Sequence, residues 1–350
     1  MRCLSDLVGV ARSAGRAAMA AILFAPAAHA AQLDMTFQLD WRFEASSVPY
    51  IVAKSKGYFA EEGLNVTLNV GAGSAATITR LAAGNADMGV GDISSFVEFV
   101  GNNERVPAKA VFLMYESTPA GIFTLKKTGI TRPADLKGLT VAAPVNDGAR
   151  KIFPLFAQAT GLGQDSVTWM SVEPAIRETL LVRGQVPVIA GYATSALVSL
   201  QRLGVPPEDI VSMMYADHGV DLYGNAVFAT PRFIQEHPKA VAGFLKALAR
   251  ALKDIAADPQ DAVNRLKAFD PLIDPKLEAL RLGILLNRQI VTAHVRQAGV
   301  GEIDPVRLQA SIDKLHAAMA LKSRPDGRAL VDMRFLPPQA DRMIAPAASN

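Results

Sequence analysis

Two aromatic side chains near the start of the chain are placed to stack on a planar ligand. Trp41 follows the apolar run Met35–Leu39, and Tyr50 opens the next predicted helix. An aromatic ring can stack on a flat heterocycle and cover one of its faces. The competing interpretation is that both rings pack in the core. The sequence leaves the two interpretations open for each residue.

Glycine and polar residues follow the next two predicted strands. Gly73 and Ser74 end the turn after Val66–Val70, and Asp92 follows Met88–Val90. A glycine lets a ligand approach the backbone, and the free N–H groups at a helix start attract an anion or a carbonyl oxygen. Ser74 and Asp92 are also ordinary helix N-caps. Each is therefore predicted either to contact ligand or to cap a helix.

The middle of the chain repeats this arrangement of strand, turn and helix. Asn146 follows the predicted strand Thr140–Ala143, and Tyr192 follows Val188–Ala190. Asn225 stands where the chain returns to its first part, so it either contacts ligand or holds a turn. Ligands of open α/β sheets bind beyond the carboxyl ends of the strands. These residues and those above therefore make up one predicted ligand site.

Residue types that perform catalysis or hold metals are dispersed along the sequence. His218, His237, His294 and His316 show no pair at the spacing of metal ligands. Neither a Gly-x-Ser-x-Gly elbow nor a Walker loop occurs. The sequence therefore predicts noncovalent binding, without a catalytic residue, a metal or a cofactor.

The N-terminal segment, residues 1–30, is predicted to be a secretory signal peptide. Three arginines precede an Ala-rich apolar stretch, and Ala28-His29-Ala30 fits the small-x-small cleavage pattern. The one cysteine, Cys3, precedes the apolar stretch rather than following it, so lipid attachment is not expected. The expected location is the periplasm, and the mature chain would contain no cysteine.

Strand-like and helix-like runs alternate along the chain, a pattern of βαβ units that predicts an α/β fold. Turn-rich segments at Tyr115–Gly121 and Asp217–Gly224 are predicted to cross between two lobes. The first lobe would comprise residues 31–117 and 222–350, and the second would comprise residues 118–221. Two crossings make a hinge, so the lobes are expected to close on a ligand.

The chain after Pro231 is predicted to be helical. Prolines stand at or near the start of helices predicted at 238–256, 259–269, 275–298 and 305–320. A proline is tolerated there because the N–H that it lacks would be unpaired in the first turn anyway. These helices are expected to pack on the first lobe.

Composition argues against nucleic acid and membrane surfaces as partners. The formal charge is +3, and the predicted signal peptide carries three arginines and one aspartate, so the mature chain is nearly neutral. There is no basic stripe or block of like charge. No later run reaches the about 18 apolar residues of a membrane-spanning helix. A monomer with a small-molecule partner is expected.

Four spaced motifs resemble the periplasmic solute-binding proteins of ABC importers, specifically the group for nitrate, sulfonates, taurine and thiamine pyrimidine precursors. The motifs are Leu39-Asp40-Trp41, Gly57-Tyr58-Phe59, Gly71-Ala72-Gly73-Ser74 and Ala86-Asp87-Met88-Gly89. The resemblance implies a type II periplasmic-binding-protein fold of two lobes, with two crossover segments and C-terminal helices on the first lobe. It also implies a permease and an ATPase subunit in the inner membrane as partners.

The identity of the solute has one preferred interpretation and several alternatives. In this group the Asp-Trp pair after the first strand is typical of the thiamine-pyrimidine branch, which implies a planar nitrogen heterocycle. The chain departs from that branch at Glu44–Pro49, where Asn-x-x-His-x-Gly is usual. A nitrate, sulfonate or taurine ligand would require a cation in the cleft, for which Arg42, Arg150 and Arg177 are candidates. A synthase like the fungal relatives, which use a cysteine-rich motif, and a periplasmic sensor are disfavoured.

Overall fold

The architecture is described by a computed structural model that covers residues 32–103, 105–163 and 165–344. The predicted signal peptide, residues 1–30, lies outside these described residues. Within them, no helix combines the length and the apolar character that crossing a membrane requires.

Ten strands of the described residues form two five-stranded sheets. In chain order they are β1 (Leu33–Gln38), β2 (Leu64–Asn69), β3 (Met88–Asp92), β4 (Lys109–Leu113), β5 (Ala120–Leu125), β6 (Thr140–Ala143), β7 (Thr168–Ser171), β8 (Val188–Tyr192), β9 (Ile210–Met214) and β10 (Asn225–Ala229). The first sheet has the order β2-β1-β3-β10-β4, and the second has the order β7-β6-β8-β5-β9. The predicted α/β fold with two sheets is confirmed.

The two sheets share one pattern of strand directions. In the first sheet β1 is parallel to β2 and β3, and β10 is antiparallel to β3 and β4. In the second sheet β6 is parallel to β7 and β8, and β5 is antiparallel to β8 and β9. The antiparallel strands β5 and β10 are those that the chain enters immediately after passing from one sheet to the other.

The chain passes between the sheets twice, through residues 114–119 and 215–224. Both passages overlap the predicted crossings. The two segments are hydrogen bonded to each other, because the Gly224 N–H donates to the Tyr115 carbonyl at 3.0 Å and the Thr118 N–H donates to the Leu222 carbonyl at 3.0 Å. The two sheets are therefore connected by two adjacent segments that are hydrogen bonded to each other.

Sixteen α-helices of the described residues connect and flank the strands. They are α1 (Val48–Ser55), α2 (Tyr58–Glu61), α3 (Ser74–Ala82), α4 (Ile93–Asn103), α5 (Gly148–Lys151), α6 (Phe153–Ala159), α7 (Arg177–Val182), α8 (Ala193–Arg202), α9 (Pro231–Glu236), α10 (Pro238–Ala257), α11 (Pro259–Phe269), α12 (Pro275–Leu285), α13 (Ala293–Ala298), α14 (Pro305–Met319), α15 (Gly327–Leu330) and α16 (Gln339–Arg342).

The predicted helix 275–298 is wrong as a single element. Helix α12 ends at Leu285, and a π-helical turn follows over Leu286–Ile290. A separate helix, α13, then begins at Ala293. The Thr292 side chain accepts a hydrogen bond from the Val295 N–H at 3.2 Å and so caps the new helix. A threonine that bonds the backbone locally gives the chain an alternative to continued helix.

The C-terminal helices pack mainly beside the first sheet, as predicted. Helices α10 and α11 contact α1, and Phe244 of α10 packs against Phe37 of β1 and Phe59 of α2, with ring centroids 4.9 and 4.8 Å away. However, α12 contacts α8 and α14 contacts α6, and both of these partners follow strands of the second sheet. The C-terminal region therefore contacts both halves of the molecule.

Candidate functional site

A cleft lies between the two sheets, at the edge where β1, β3, β6 and β8 end. The side chains around it include Asp40, Trp41, Glu44, Ser74, Tyr115, Asp147, Arg177, Tyr192, Thr194, Ser195 and Asn225. The free volume within the cleft is about 30 Å³, which is room for only about two water molecules. The cleft is therefore narrow, and entry of a ring-sized solute requires the sheets to move apart.

Most of the predicted site residues meet at this cleft. Trp41, Gly73, Ser74, Tyr192 and Asn225 all line it, although they come from segments far apart in the sequence. They converge because parallel strands deliver their carboxyl ends to the same edge of a sheet. Asn225 joins them from the opposite direction, since β10 is antiparallel and begins at that edge.

The other three predicted residues lie beside the cleft without lining it. Asp92 is buried behind Tyr192 and accepts its hydroxyl hydrogen at 2.9 Å. Tyr50 is buried in the core with its ring 4.6 Å from that of Phe37, and its hydroxyl has no hydrogen-bond partner among the described residues. The backbone carbonyl of Asn146 accepts from an N–H of the first turn of α3.

The glycine-rich turn before α3 brings the two halves of the molecule together. Gly73 has φ +124°, a conformation that favours glycine, and a Cβ placed on it would lie 2.3 Å from the Asn146 carbonyl oxygen. The sheets can therefore approach this closely only with glycine at this position. The N-cap of α3 is Gly73 rather than Ser74, so the prediction of a Ser74 cap is wrong. The Ser74 hydroxyl instead lies 3.5 Å from Asp40 Oδ2.

Asp40 is a buried acid of the cleft whose pKa is raised well above its ordinary value. Burial raises its pKa to about 7, against a smaller lowering by the hydrogen bond from Asn225. That bond runs from Asn225 Nδ2 to Asp40 Oδ2 at 2.7 Å. The negative charges of Glu44 and Asp92 add to the effect of burial. Asp40 is therefore able to present either a neutral acid or a carboxylate near neutral pH.

Close polar contacts join the two sheets at the floor of the cleft. The Tyr192 hydroxyl, which belongs to the second sheet, donates to Asp92 and lies 3.4 Å from Asn225 Oδ1. Asn225 in turn donates to Asp40. Asp92 also accepts from the Ser94 N–H at 2.8 Å, so it both caps the start of α4 and holds Tyr192. Of the two roles that the sequence left open for Asp92, the structure shows the helix cap.

The Trp41 ring lies near two positive charges and keeps an unpaired donor. The guanidinium carbons of Arg42 and Arg177 are 5.6 and 5.5 Å from the ring centroid. The indole Nε1 is buried and has no partner within the described residues. A buried indole N–H normally finds an acceptor. Trp41 therefore offers both a ring face and a hydrogen bond to a molecule in the cleft.

The three candidate cations differ in their availability to an anion. Arg42 does not line the cleft, although its buried Nε has no partner within the described residues. Arg177 lines the cleft and is fully buried, but it pairs with Asp147 at 3.1 Å and Glu178 at 2.5 Å. Arg150 donates to the Ala143 carbonyl and lies 5.0 Å from the Trp169 ring. Two carboxylates already neutralise the guanidinium that faces the cleft. The electrostatics of the site therefore favour hydrogen-bond donors over anions.

The sequence did not identify Glu44, Thr194 or Ser195 as site residues. Thr194 and Ser195 follow Tyr192 at the end of β8, so the strand-end rule that selected Tyr192 also applies to them. Glu44 follows no strand directly, and its carboxylate accepts from the Ser195 hydroxyl across the cleft. No local signal identifies Glu44, because its partner is far away in the sequence.

None of the described residues form a group of three or more His, Cys, Asp or Glu side chains with the geometry of a metal site. The polar groups of the cleft are carboxyl, amide, hydroxyl, indole and guanidinium groups. This set is suited to hydrogen bonding and stacking.

Solved structures establish the fold. The alkanesulfonate-binding protein SsuA from Xanthomonas axonopodis pv. citri aligns with a TM-score of 0.68 and 17% identity, over 87% of this chain and 99% of that one. The periplasmic nitrate-binding protein NrtA from Synechocystis aligns with a TM-score of 0.66 and 14% identity, over 91% and 93%. The chain has the α/β fold of type II periplasmic binding proteins.

Sequence relatives extend over much of the chain. A riboflavin-binding protein of Chloroflexus aurantiacus is 24% identical over 89% of both proteins, and a formylaminopyrimidine-binding protein of Halalkalibacterium halodurans is 25% identical over 71% of this chain and 76% of its own length. A 4-amino-5-hydroxymethyl-2-methylpyrimidine phosphate synthase of Schizosaccharomyces pombe is 25% identical over 64% and 66%. The NMT1/THI5-like family matches residues 44–262, more than half of the chain, so this protein belongs to the NMT1/THI5-like family.

Proposed function

We propose that this protein captures a small, planar nitrogen heterocycle in the cleft and delivers it to the permease of an ABC importer. The supporting observation is the charge pattern of the cleft. Asp40, Glu44 and Asp147 line it, whereas Arg177 is the one cation among the described lining residues and is already paired. Carboxylates accept hydrogen bonds from the amino and ring N–H groups that such heterocycles carry.

Aromatic side chains support a flat ligand. Trp41, Tyr115 and Tyr192 line the cleft, and the Trp41 indole N–H lacks a partner. A planar ring that stacks on the Trp41 face would use the first property, and an acceptor that approaches the indole edge in the plane of the ring would use the second. Two of the relatives above are named for binding riboflavin and formylaminopyrimidine, which are both nitrogen heterocycles.

Capture would occur by closure of two lobes about the crossing segments. We propose the predicted division, with residues 31–117 and 222–350 in one lobe and 118–221 in the other. The strands support it, because β1–β4 and β10 form one sheet and β5–β9 form the second. The periplasmic location, the monomeric state and the permease and ATPase partners belong to the same proposal.

Binding of nitrate or a sulfonate is the alternative that the fold allows. An anion would have to displace the carboxylate partners of Arg177 or lie beside Asp40 and Glu44. Leaving a buried carboxylate without its cation is costly. The described lining also contains no histidine or cysteine, which supports noncovalent binding rather than a synthase reaction.

A thermal-shift screen tests the proposal. The panel contains aminopyrimidines, thiamine and flavins, with nitrate, taurine and short alkanesulfonates as the competing class. A ligand at about 100 times its Kd stabilises the fold by roughly 2.7 kcal/mol, so a true ligand gives a clear rise in Tm. Asp40→Asn should reduce that rise, whereas the exposed control Glu61→Gln should leave it unchanged. A rise produced by the anions alone would refute the heterocycle.

A further inference from the structure

A buried ionic cluster joins three segments of chain behind one wall of the cleft. Arg281 of α12 is 5% exposed, and its Nε donates to the Thr194 carbonyl oxygen at 2.9 Å. Its Nη2 lies 3.4 Å from the Ser199 hydroxyl, so two of its contacts are to α8. Its Nη1 pairs with Glu278 and lies 3.5 Å from Glu44 Oε2. The guanidinium therefore bridges α8 and the loop after β1.

The cluster holds a carboxylate that faces the cleft. Glu44 Oε1 accepts the Ser195 hydroxyl, while Glu278 Oε2 accepts the Ala45 N–H at 2.7 Å. Glu44 and Ser195 line the cleft, whereas Arg281 does not. Arg281 therefore acts on the ligand site from behind, through Glu44.

The contacts of this cluster divide into two sets. Glu278, Ala45, Glu44 and Arg281 all lie in the proposed first lobe, residues 31–117 and 222–350, so their contacts join segments of one lobe. The contacts of Glu44 and Arg281 to α8 cross the cleft, because α8 follows β8 of the second sheet. These contacts require the two sheets to be close together, as they are in this structure.

We infer that Arg281 is a positioning residue that orients the Glu44 carboxylate toward the ligand and latches α8 to the first half of the molecule on closure. The inference deepens the proposed function and rests on it for the ligand. A planar guanidinium with donors on both edges is suited to this position, because it serves two carboxylates and a carbonyl at once. Helix α12, which lies outside the cleft, thereby couples closure to ligand binding.

A distance measurement tests the latch without any ligand. The one cysteine of the chain is Cys3, so in a Cys3→Ser background Lys137→Cys and Lys239→Cys, both at exposed positions on opposite halves, give a unique pair of spin-label sites. Pulsed electron paramagnetic resonance then reports the distance between the halves. Arg281→Gln should shift the distribution to longer distances, and Arg281→Lys should restore part of the short population. The surface control Arg265→Gln should match the parent.

A second variant tests the inference if Arg281→Gln does not fold. Ser195→Ala removes one hydroxyl from the contact across the cleft and leaves the pairs of Arg281 with its carboxylates intact. It should also lengthen the distance, by less. The inference would be overturned if Ser195→Ala and every folded Arg281 variant gave the same distance distribution as the parent protein. The comparison is made without ligand and with the heterocycle that binds most strongly in the screen.

Titration with that heterocycle separates the inference from the proposed function. Arg281→Gln should weaken binding at least about tenfold, and Glu44→Gln should add little further loss, because both changes disable the same carboxylate. Strictly additive losses, or unchanged affinity, would overturn the role of Arg281 while leaving the heterocycle proposal intact. If no heterocycle binds the parent protein, the proposed function fails, and the distance measurement still decides the latch.

Discussion

Asp40→Asn is predicted to change how the stability of the protein depends on pH. Burial raises the pKa of Asp40 from 3.8 to about 7, despite the hydrogen bond from Asn225. In the unfolded chain the pKa returns to its ordinary value. Between about pH 4 and pH 7 the folded protein therefore keeps a proton that the unfolded chain has lost. The free energy of unfolding contributed by this group falls as the pH rises through that window.

The magnitude follows from the size of the pKa shift. A shift of about three pKa units at about 1.4 kcal/mol per unit corresponds to about 4 kcal/mol, which is an upper limit for one group. The asparagine variant carries no such proton, so its stability relative to the parent should rise by up to this amount between pH 4 and pH 8. Above the pKa of the folded protein the difference should become constant.

Denaturant unfolding of both proteins at pH 4, 5, 6, 7 and 8 measures this difference. Asp135→Asn is the control, because the pKa of Asp135 is lowered rather than raised. The Thr131 N–H and the Arg132 side chain both donate hydrogen bonds to this carboxylate and lower its pKa. Its contribution changes only below about pH 4, so its difference from the parent should stay flat across the window. A flat difference for Asp40→Asn as well would refute the argument that burial raises the pKa of Asp40.

Ligand binding should carry the same signature. A heterocycle that donates a hydrogen bond to ionised Asp40 lowers the pKa of that carboxyl group, so binding near pH 6 should release a proton. Titration calorimetry in buffers of different ionisation enthalpy measures the number of protons released. Asp40→Asn should abolish the release, and an unchanged release in that variant would assign it to another group.

Three further substitutions test the site. Trp41→Ala should weaken heterocycle binding about tenfold, and Trp41→Phe should weaken it less. Calorimetry measures the affinities, and circular dichroism confirms that both variants fold. An unchanged affinity would show that the Trp41 ring does not contact the ligand. Gly73→Ala should hold the two halves apart, because its Cβ would meet the Asn146 carbonyl, and small-angle scattering should show a larger radius of gyration. Gly84→Ala is the control, since Gly84 also has a positive φ but has open space around it, and this variant should match the parent. Arg177→Met should destabilise the fold by about 3–5 kcal/mol in urea unfolding, and a neutral result would show its carboxylate partners to be solvated.

Local pattern in the sequence determined the elements and their order. The strands were predicted correctly because buried strands leave short apolar runs between turn residues, and prolines mark the starts of α10, α11, α12 and α14. Five of the predicted site residues meet at the cleft because strand ends in an α/β sheet share an edge. The break at Leu286–Ile290 was missed, since a π-helical turn leaves the helical periodicity of the sequence nearly intact.

The tertiary structure alone decided which polar groups are available. Nothing near Arg177 in the sequence indicates that Asp147 neutralises it, and nothing near Glu44 indicates that Arg281 holds it. Tyr50 and Trp41 also look alike as aromatic residues beside a strand end, yet one is buried in the core and the other lines the cleft. Sequence patterns report the period and burial of a segment, whereas the charge and exposure of a side chain depend on partners that only folding brings within a few ångströms.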